Sequence, residues 1–356
     1  MKVAIVTQPL GLNVGGMLQN YALQQALRSI GHDPVTINYQ PVRRFGIKEV
    51  IRMTARNVRT LMRRMAGRHD YMLYACDFRP SRANRGFIRL NIACTPECGA
   101  YRPVDGAAAY ITGSDQVWRP RYNPGILYDQ YLAFTGDSPV RRVAYAASFG
   151  VDTWEYDSAQ TAECRRLAAR FDAVSVREQS GVALCRDRLG IEAVPVLDPT
   201  LLLDRDDYDR LCADIPADRR KTVVSYMLDP DFDKSEACRR AARKTGARHR
   251  SLHPRATSPD RWIAAIRDAA FVVTDSFHGT VFSIIFGKPF AVMANDSRGN
   301  SRIESLLGAL GLTDRIAATP ADIDRLVGSP IGYDEVRARL EPIKAASHSF
   351  LEKSLV

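Results

Sequence analysis

Short β-like runs alternate with segments of helical spacing along almost the whole chain, and that rhythm leaves few folds open. Val3-Ala4-Ile5-Val6 precedes a glycine-containing turn and then LQNYALQQALRSIG, whose apolar residues recur at helical intervals and which stops at Gly31. Segments 34–39, 109–112, 142–146, 173–176 and 193–197 read as further strands. After the acidic LLLDRDDYDR a second series begins, with strands at 222–226, 248–252, 271–274 and 290–293 and helices at 235–244, 259–269 and 279–286. Alternation of this kind builds βαβ units and parallel sheets. The expected fold is therefore α/β: two doubly wound domains facing a cleft, residues 1–203 and 204–356, with a C-terminal helix ending the second. A chain of 356 residues is long enough for two cores.

Composition narrows the class further. Apolar residues make up 46% and charged residues 25%, as in a globular enzyme rather than a disordered chain. Seven cysteines are scattered, and the nearest pair, Cys94 and Cys98, has no second pair or His cluster to complete a zinc site. A reducing cytoplasm is the expected compartment and no bound metal is expected. MKVAIVTQP reads as a first strand rather than a signal peptide, and no apolar run approaches the roughly 20 residues that span a bilayer.

The net charge of +10 is concentrated. Between Arg43 and Arg89 stand 13 Lys and Arg against three acids, an excess equal to that of the whole chain. Within this basic insertion Ile47, Ile51, Val58, Leu61, Met62 and Met65 follow helical spacing, beside a stripe of Arg52, Arg56, Arg59 and Arg63. Two readings stand: a solvated helix covering a domain edge, and a basic amphipathic helix on the inner face of an anionic membrane. Nucleic acid is not expected, since the segment lacks interleaved aromatics and no nucleic-acid motif is present.

The sequence TDSFHGTVFSIIFGKP, residues 274–289, sets a titratable imidazole between two apolar runs. In open α/β sheets, ligands bind beyond the carboxyl ends of strands, where helix N-termini attract anions. Here Asp275 follows the strand, Ser276 is the natural N-cap, His278 enters the first turn and Gly279 follows. The plainer reading of His278 is a packing histidine, but its place at a strand end favours function. Beyond the next strand, NDSRGNSR brings Arg298, Asn300 and Arg302 to a neighbouring strand end. Two guanidinium forks beside a helix N-terminus describe a site for more than one negative charge.

The first domain offers a second cluster. Gly15 and Gly16 sit in the first strand-to-helix turn without dinucleotide or Walker spacing, a close-approach turn with Gln19 and Asn20 toward the cleft. In TGSDQVW, Ser114, Asp115 and Gln116 bring a hydroxyl, a carboxylate and an amide, and Trp118 a flat apolar face; together these suit a sugar ring, or equally a turn and N-cap.

Taken in order, NVGGMLQNYAL, ITGSDQVW, YAASFG, VSVRE, VLDPTLLL, TDSFHGTVFSIIFGKP and RGNSR resemble the polysaccharide pyruvyl transferases over nearly the whole chain. The resemblance implies two Rossmann-like domains of glycosyltransferase-B-like architecture. It also implies transfer of the enolpyruvyl carbons of phosphoenolpyruvate to sugar hydroxyls as a cyclic ketal, with release of phosphate. On that reading Ser276, His278, Gly279, Arg298, Asn300 and Arg302 hold the donor, and the acceptor, a polysaccharide or its lipid-linked oligosaccharide precursor, lies against Gly15, Gly16, Gln19, Asn20, Ser114, Gln116 and Trp118. His278 is a general acid or a phosphate ligand, Asp115 the first candidate for the base and Asp275 the second. No cofactor beyond this donor substrate is implied. The alternative is a glycosyltransferase using a nucleotide-sugar donor, with Glu304 toward the ribose; a non-catalytic glycan binder would not need the His and Arg cluster.

Overall fold

The computed structural model describes residues 1–41, 54, 55, 58, 62, 80–230, 232–254, 257–295 and 299–356. Arg298 and the stripe Arg52, Arg56, Arg59 and Arg63 lie outside the described residues. In the helix-patterned part of the insertion, residues 47–65, the described residues are Thr54, Ala55, Val58 and Met62, all helical and exposed.

Among the described residues, eleven strands fall into two parallel sheets. The first joins β1 (Lys2–Val6), β2 (Asp33–Thr36), β3 (Ala109–Thr112), β4 (Arg141–Ala147), β5 (Ala173–Val176) and β6 (Val194–Pro195) in the order β2-β1-β3-β4-β5-β6. The second joins β7 (Thr222–Tyr226), β8 (Arg248–Ser251), β9 (Phe271–Thr274), β10 (Phe290–Met293) and β11 (Ile316–Ala317) in the order β11-β10-β9-β7-β8. Their inner strands are mostly apolar and mostly buried, as parallel sheets covered on both faces are. In each sheet the strand order reverses once, between β1 and β3 and between β7 and β9. These are the switch points at whose carboxyl ends a crevice opens.

Around the sheets lie the helices α1 (Val14–Ser29), α2 (Arg82–Asn91), α3 (Ser158–Ala168), α4 (Gln179–Leu184), α5 (Arg205–Leu211), α6 (Phe232–Lys244), α7 (Pro259–Arg267), α8 (Phe277–Ile285), α9 (Ser301–Leu310), α10 (Asp322–Leu326) and α11 (Tyr333–Lys353). α1 starts because the Asn13 side chain accepts from Gly15 N at 3.0 Å. One apolar cluster holds Val14, Met17 and Leu18 of α1 together with Trp262 of α7 and Phe277 and Phe282 of α8. The two sheets therefore share a packed seam, to which each buried aromatic contributes roughly 1.5–3 kcal/mol.

Three differences from the sequence reading have local causes. β2 ends at Thr36 rather than at 39, because the chain there turns from β1 to pair with residues around Cys94 and Cys98. α8 begins at Phe277, two residues earlier than the apolar run suggests, and so draws His278 into the helix. The terminal helix is not confined to the second domain. Leu351 and Leu355 pack with Val3 and Ile5 of the first sheet, and Arg141 Nε donates to Ser354 O at 2.6 Å.

Candidate active site

His278 stands where both switch points meet. Ser276 caps α8 with its Oγ accepting from Gly279 N at 3.4 Å, and its own N–H is held by Thr274 Oγ1 at 3.0 Å. Gly279 is required here, since a Cβ would lie 2.3 Å from Thr274 Oγ1. The imidazole emerging from this turn lies against Gly15 of α1: a Cβ on Gly15 would sit 2.1 Å from His278 Nδ1. Two helix N-termini, α1 from the first domain and α8 from the second, thus converge on one histidine. Free N–H groups and the helix dipoles make that point electropositive.

Charge surrounds the ring. Asp198, which follows β6, is fully buried, with Oδ2 3.7 Å from His278 Nε2. Its carboxylate accepts from Arg177 Nη1 (2.6 Å), Ser114 Oγ (2.8 Å), Thr200 Oγ1 (2.6 Å) and Thr200 N (3.0 Å). Burial alone would push this carboxyl up. The His278 ring beside it, the Arg177 guanidinium and the Thr200 hydroxyl outweigh that and hold it far below the usual carboxylate range. Arg177, buried at the end of β5, is pulled down by burial but raised overall by the charges of Asp198, Asp115 and Glu178.

Arg302, in the first turn of α9, completes the group. Its guanidinium lies 5.8 Å from the Phe277 ring centroid, and that of Arg177 4.4 Å from the same centroid. Both face Asp115 Oδ1, Arg177 Nη2 at 3.6 Å and Arg302 Nη1 at 3.9 Å. Burial, and then the charge of Arg177, pull Arg302 down to about 10. Arg177 Nε and Nη2 have no hydrogen-bond partner among the described residues. Buried donors without partners are costly and point to a ligand that supplies acceptors. Among the described residues no group of three metal-ligating side chains gathers.

Asp115 occupies a strained position. Its φ is +78°, left-handed for a residue with a side chain, and Ala146 on the neighbouring strand has φ +50°. The register between β4 and β5 shifts at that point. Strain of this kind gathers where a side chain must be aimed; here the Asp115 carboxylate is turned toward the Gly16 side of α1, with Oδ2 3.8 Å from where a Gly16 Cβ would be.

Several residues expected at the cleft are elsewhere. Trp118 is fully buried and stacked on Tyr131 at 4.8 Å between centroids, so it offers no face to a sugar. Gln19 and Asn20 point inward: Gln19 Nε2 donates to Thr7 Oγ1 at 3.1 Å, and Asn20 Oδ1 accepts from Thr36 Oγ1 at 2.8 Å. Ser114 lies beneath the site holding Asp198, and Gln116 Oε1 accepts from Arg119 Nη1 at 3.0 Å. Asp275 is occupied as a tie between loops, accepting from Leu228 N (2.6 Å), Asp229 N (3.2 Å) and Asn295 Nδ2 (3.0 Å). Its oxygens are taken up in holding these loops together. Asn300 accepts from Asn295 N at 2.8 Å and so braces the loop that leads to Arg302. Arg177, Glu178 and Asp198 are site residues that the sequence reading does not single out, although VSVRE and VLDPT place an ionisable pair and a carboxylate directly after strand ends.

Two parallel-sheet α/β domains closing on a crevice lined by Arg177 and Arg302 define a glycosyltransferase-B-like fold. Solved structures align with the chain over nearly its whole length. A UDP-GlcNAc 2-epimerase from Neisseria meningitidis aligns with TM-score 0.52 at 8% identity, over 100% of this chain and 99% of the other. A Methanocaldococcus jannaschii UDP-GlcNAc 2-epimerase aligns at 0.48, 8% identical, over 95% and 98%. A spinosyn rhamnosyltransferase complexed with thymidine diphosphate aligns at 0.47, 12% identical, over 99% of both. No curated protein matches. The chain belongs to the polysaccharide pyruvyl transferase family, whose model matches residues 13–297.

Proposed function

We propose that this transferase uses phosphoenolpyruvate to form a pyruvate ketal on two hydroxyls of a polysaccharide sugar or of its lipid-linked precursor. The observation that carries the reading is the pair of buried guanidiniums, Arg177 and Arg302, on one Phe277 ring beside His278, on which two helix N-termini converge. Such a pair is stabilised by a ligand with two anionic groups, and phosphoenolpyruvate has a carboxylate and a phosphate. Arg298 is assigned to the same site by its place in the sequence.

The chemistry fits the two sides of the Gly15-Gly16 floor. His278 protonates C3, which makes C2 electrophilic. The first sugar oxygen bonds to C2 and yields its proton to Asp115, which faces the floor from the other side. The C2–O bond to phosphate then breaks, with Arg177 and Arg302 stabilising the departing charge, and the second oxygen closes the ring. Of the two hydroxyl protons lost, one balances the proton placed on C3 and the other leaves with phosphate.

Calorimetric titration tests this. Phosphoenolpyruvate is expected to bind and UDP- and dTDP-sugars not to; Arg302→Ala should weaken donor binding by roughly 10- to 100-fold, the ~1.5–3 kcal/mol of a charged hydrogen bond. Binding of nucleotide sugars in place of phosphoenolpyruvate, or an unchanged affinity in the variant, overturns the reading. The basic segment 43–89 adds a reversible contact with anionic membrane, about 1 kcal/mol for each Lys or Arg near the surface. No helix among the described residues is long and apolar enough to cross a membrane. Sedimentation with anionic vesicles should be lost at high salt and on changing Arg52, Arg56, Arg59 and Arg63 to Gln.

A further inference from the structure

Asp198 is the most heavily held side chain in the site. Thr200 N and Oγ1 fix one carboxylate oxygen, and Arg177 Nη1 and Ser114 Oγ fix the other. The turn that presents it is set by sequence: Pro199 begins a short helical turn and Asp198 caps it through Thr200 N. With four donors in place the carboxylate cannot rotate, so a mobile neighbour must adapt to it. That neighbour is the His278 ring, which comes from the other domain and brings its Nε2 to 3.7 Å. The opposite nitrogen, Nδ1, is the ring atom nearest to Gly15.

We propose that Asp198 is a positioning residue that holds the Nε2 side of His278 inward and so turns Nδ1 toward the Gly15-Gly16 floor. The proposal rests on the reading of His278 as the proton donor. A fixed carboxylate behind an imidazole selects which nitrogen carries the proton and compensates a positive charge on the ring. The 3.7 Å separation is longer than a hydrogen bond, and such contacts tighten when substrate is bound. Other charged groups around the ring act differently. Arg177 is paired with Asp198 and also faces Asp115; Arg302 faces Asp115; Glu178 accepts from Ser148 Oγ, Phe149 N and Gly150 N and so serves the loop after β4. Among the described residues, Asp198 has the one carboxylate within ion-pair distance of His278.

The test has one arm independent of turnover. In ¹⁵N spectra of the full chain, with His278 assigned by loss of its signals in His278→Gln, the neutral ring should carry its proton on Nε2. In Asp198→Asn the ring signals should move toward those of free imidazole. A neutral ring protonated on Nδ1, or signals unmoved in the variant, overturns the proposal. Should Asp198→Asn fail to fold, Thr200→Val removes one hydroxyl donor and leaves the pair with Arg177; it must move the same signals, and unmoved signals again overturn the proposal. The second arm is kinetic, at saturating phosphoenolpyruvate. Asp198→Asn should lower kcat by roughly 10- to 100-fold, as loss of a supporting partner does, but by less than about 3-fold in a His278→Gln background, because coupled residues are not additive. Equal losses in both backgrounds mean a role other than through His278. If the wild-type protein does not turn over phosphoenolpyruvate, the functional reading fails, while the ring spectra still decide the role of Asp198.

Discussion

At Gly15 an added methyl would lie 2.1 Å from His278 Nδ1, while at Gly16 the nearest atom is Asp115 Oδ2 at 3.8 Å. Both glycines are helical, where alanine ordinarily stabilises by about 1 kcal/mol. Gly16→Ala should therefore keep or raise the unfolding midpoint. Gly15→Ala must displace the imidazole and should lower turnover by at least ~100-fold, the value of a general acid. Equal turnover in the two variants contradicts the placement of His278. Asp198 has a signature in pH. Its folded carboxyl is depressed below the ordinary 3.8, so below that value the unfolded chain takes up a proton that the folded chain refuses. Its contribution is complete above pH 3.8 and declines as the pH falls further. Urea unfolding from about pH 5 downward should show a steeper loss for wild type than for Asp198→Asn; parallel slopes contradict this.

The elements that could be read from sequence are those whose signal is local. Phe271–Thr274 and Phe290–Met293 are short, largely apolar runs that lead into polar stretches, and Ser276 marks the start of α8. β6 and β11 have two residues each, too few for any period to show. That His278 and Arg302 lie near one another is legible, because each stands in the first turn of a helix that follows a strand. Asp198 is not, because its partners Arg177, Ser114 and His278 come from three other segments that only the parallel topology gathers. Trp118 misled for a related reason: an aromatic after a strand reads as a ligand face until its neighbours are known. Its ring stacks on Tyr131, and Nε1 donates to Gln130 O at 3.3 Å. Trp118→Phe should thus cost about 1–3 kcal/mol of stability by urea unfolding and leave the acceptor KM unchanged. A raised acceptor KM with unaltered stability reverses that assignment.

On the scale of the whole molecule the site exists only where the domains touch. The terminal helix ties them from behind: Ser347 Oγ accepts from Leu197 N at 3.0 Å, and His348 Nε2 lies 3.0 Å from Leu202 O. In front, the start of α9, which bears Arg302, rests on the first domain. Ser301 Oγ donates to Gly150 O at 3.3 Å, and Gln179 N donates to Ser305 Oγ at 3.0 Å. Gly299 fits so closely that a Cβ would lie 1.8 Å from the same Gly150 oxygen. Gly299→Ala must then wedge the front of the crevice open and withdraw Arg302 from Asp115. The variant also bears the cost of φ +79°, roughly 1–2 kcal/mol, so a control with the same backbone penalty is needed. Gly287, at φ +61° with no atom nearer than Tyr333 at 3.9 Å, provides it. Both alanine variants should lose stability in urea, Gly299→Ala the more, but only Gly299→Ala should lose turnover, by at least ~10-fold, as misplacement of a positioning group does. Equal turnover in the two variants shows that contact across the front of the crevice does not assemble the site.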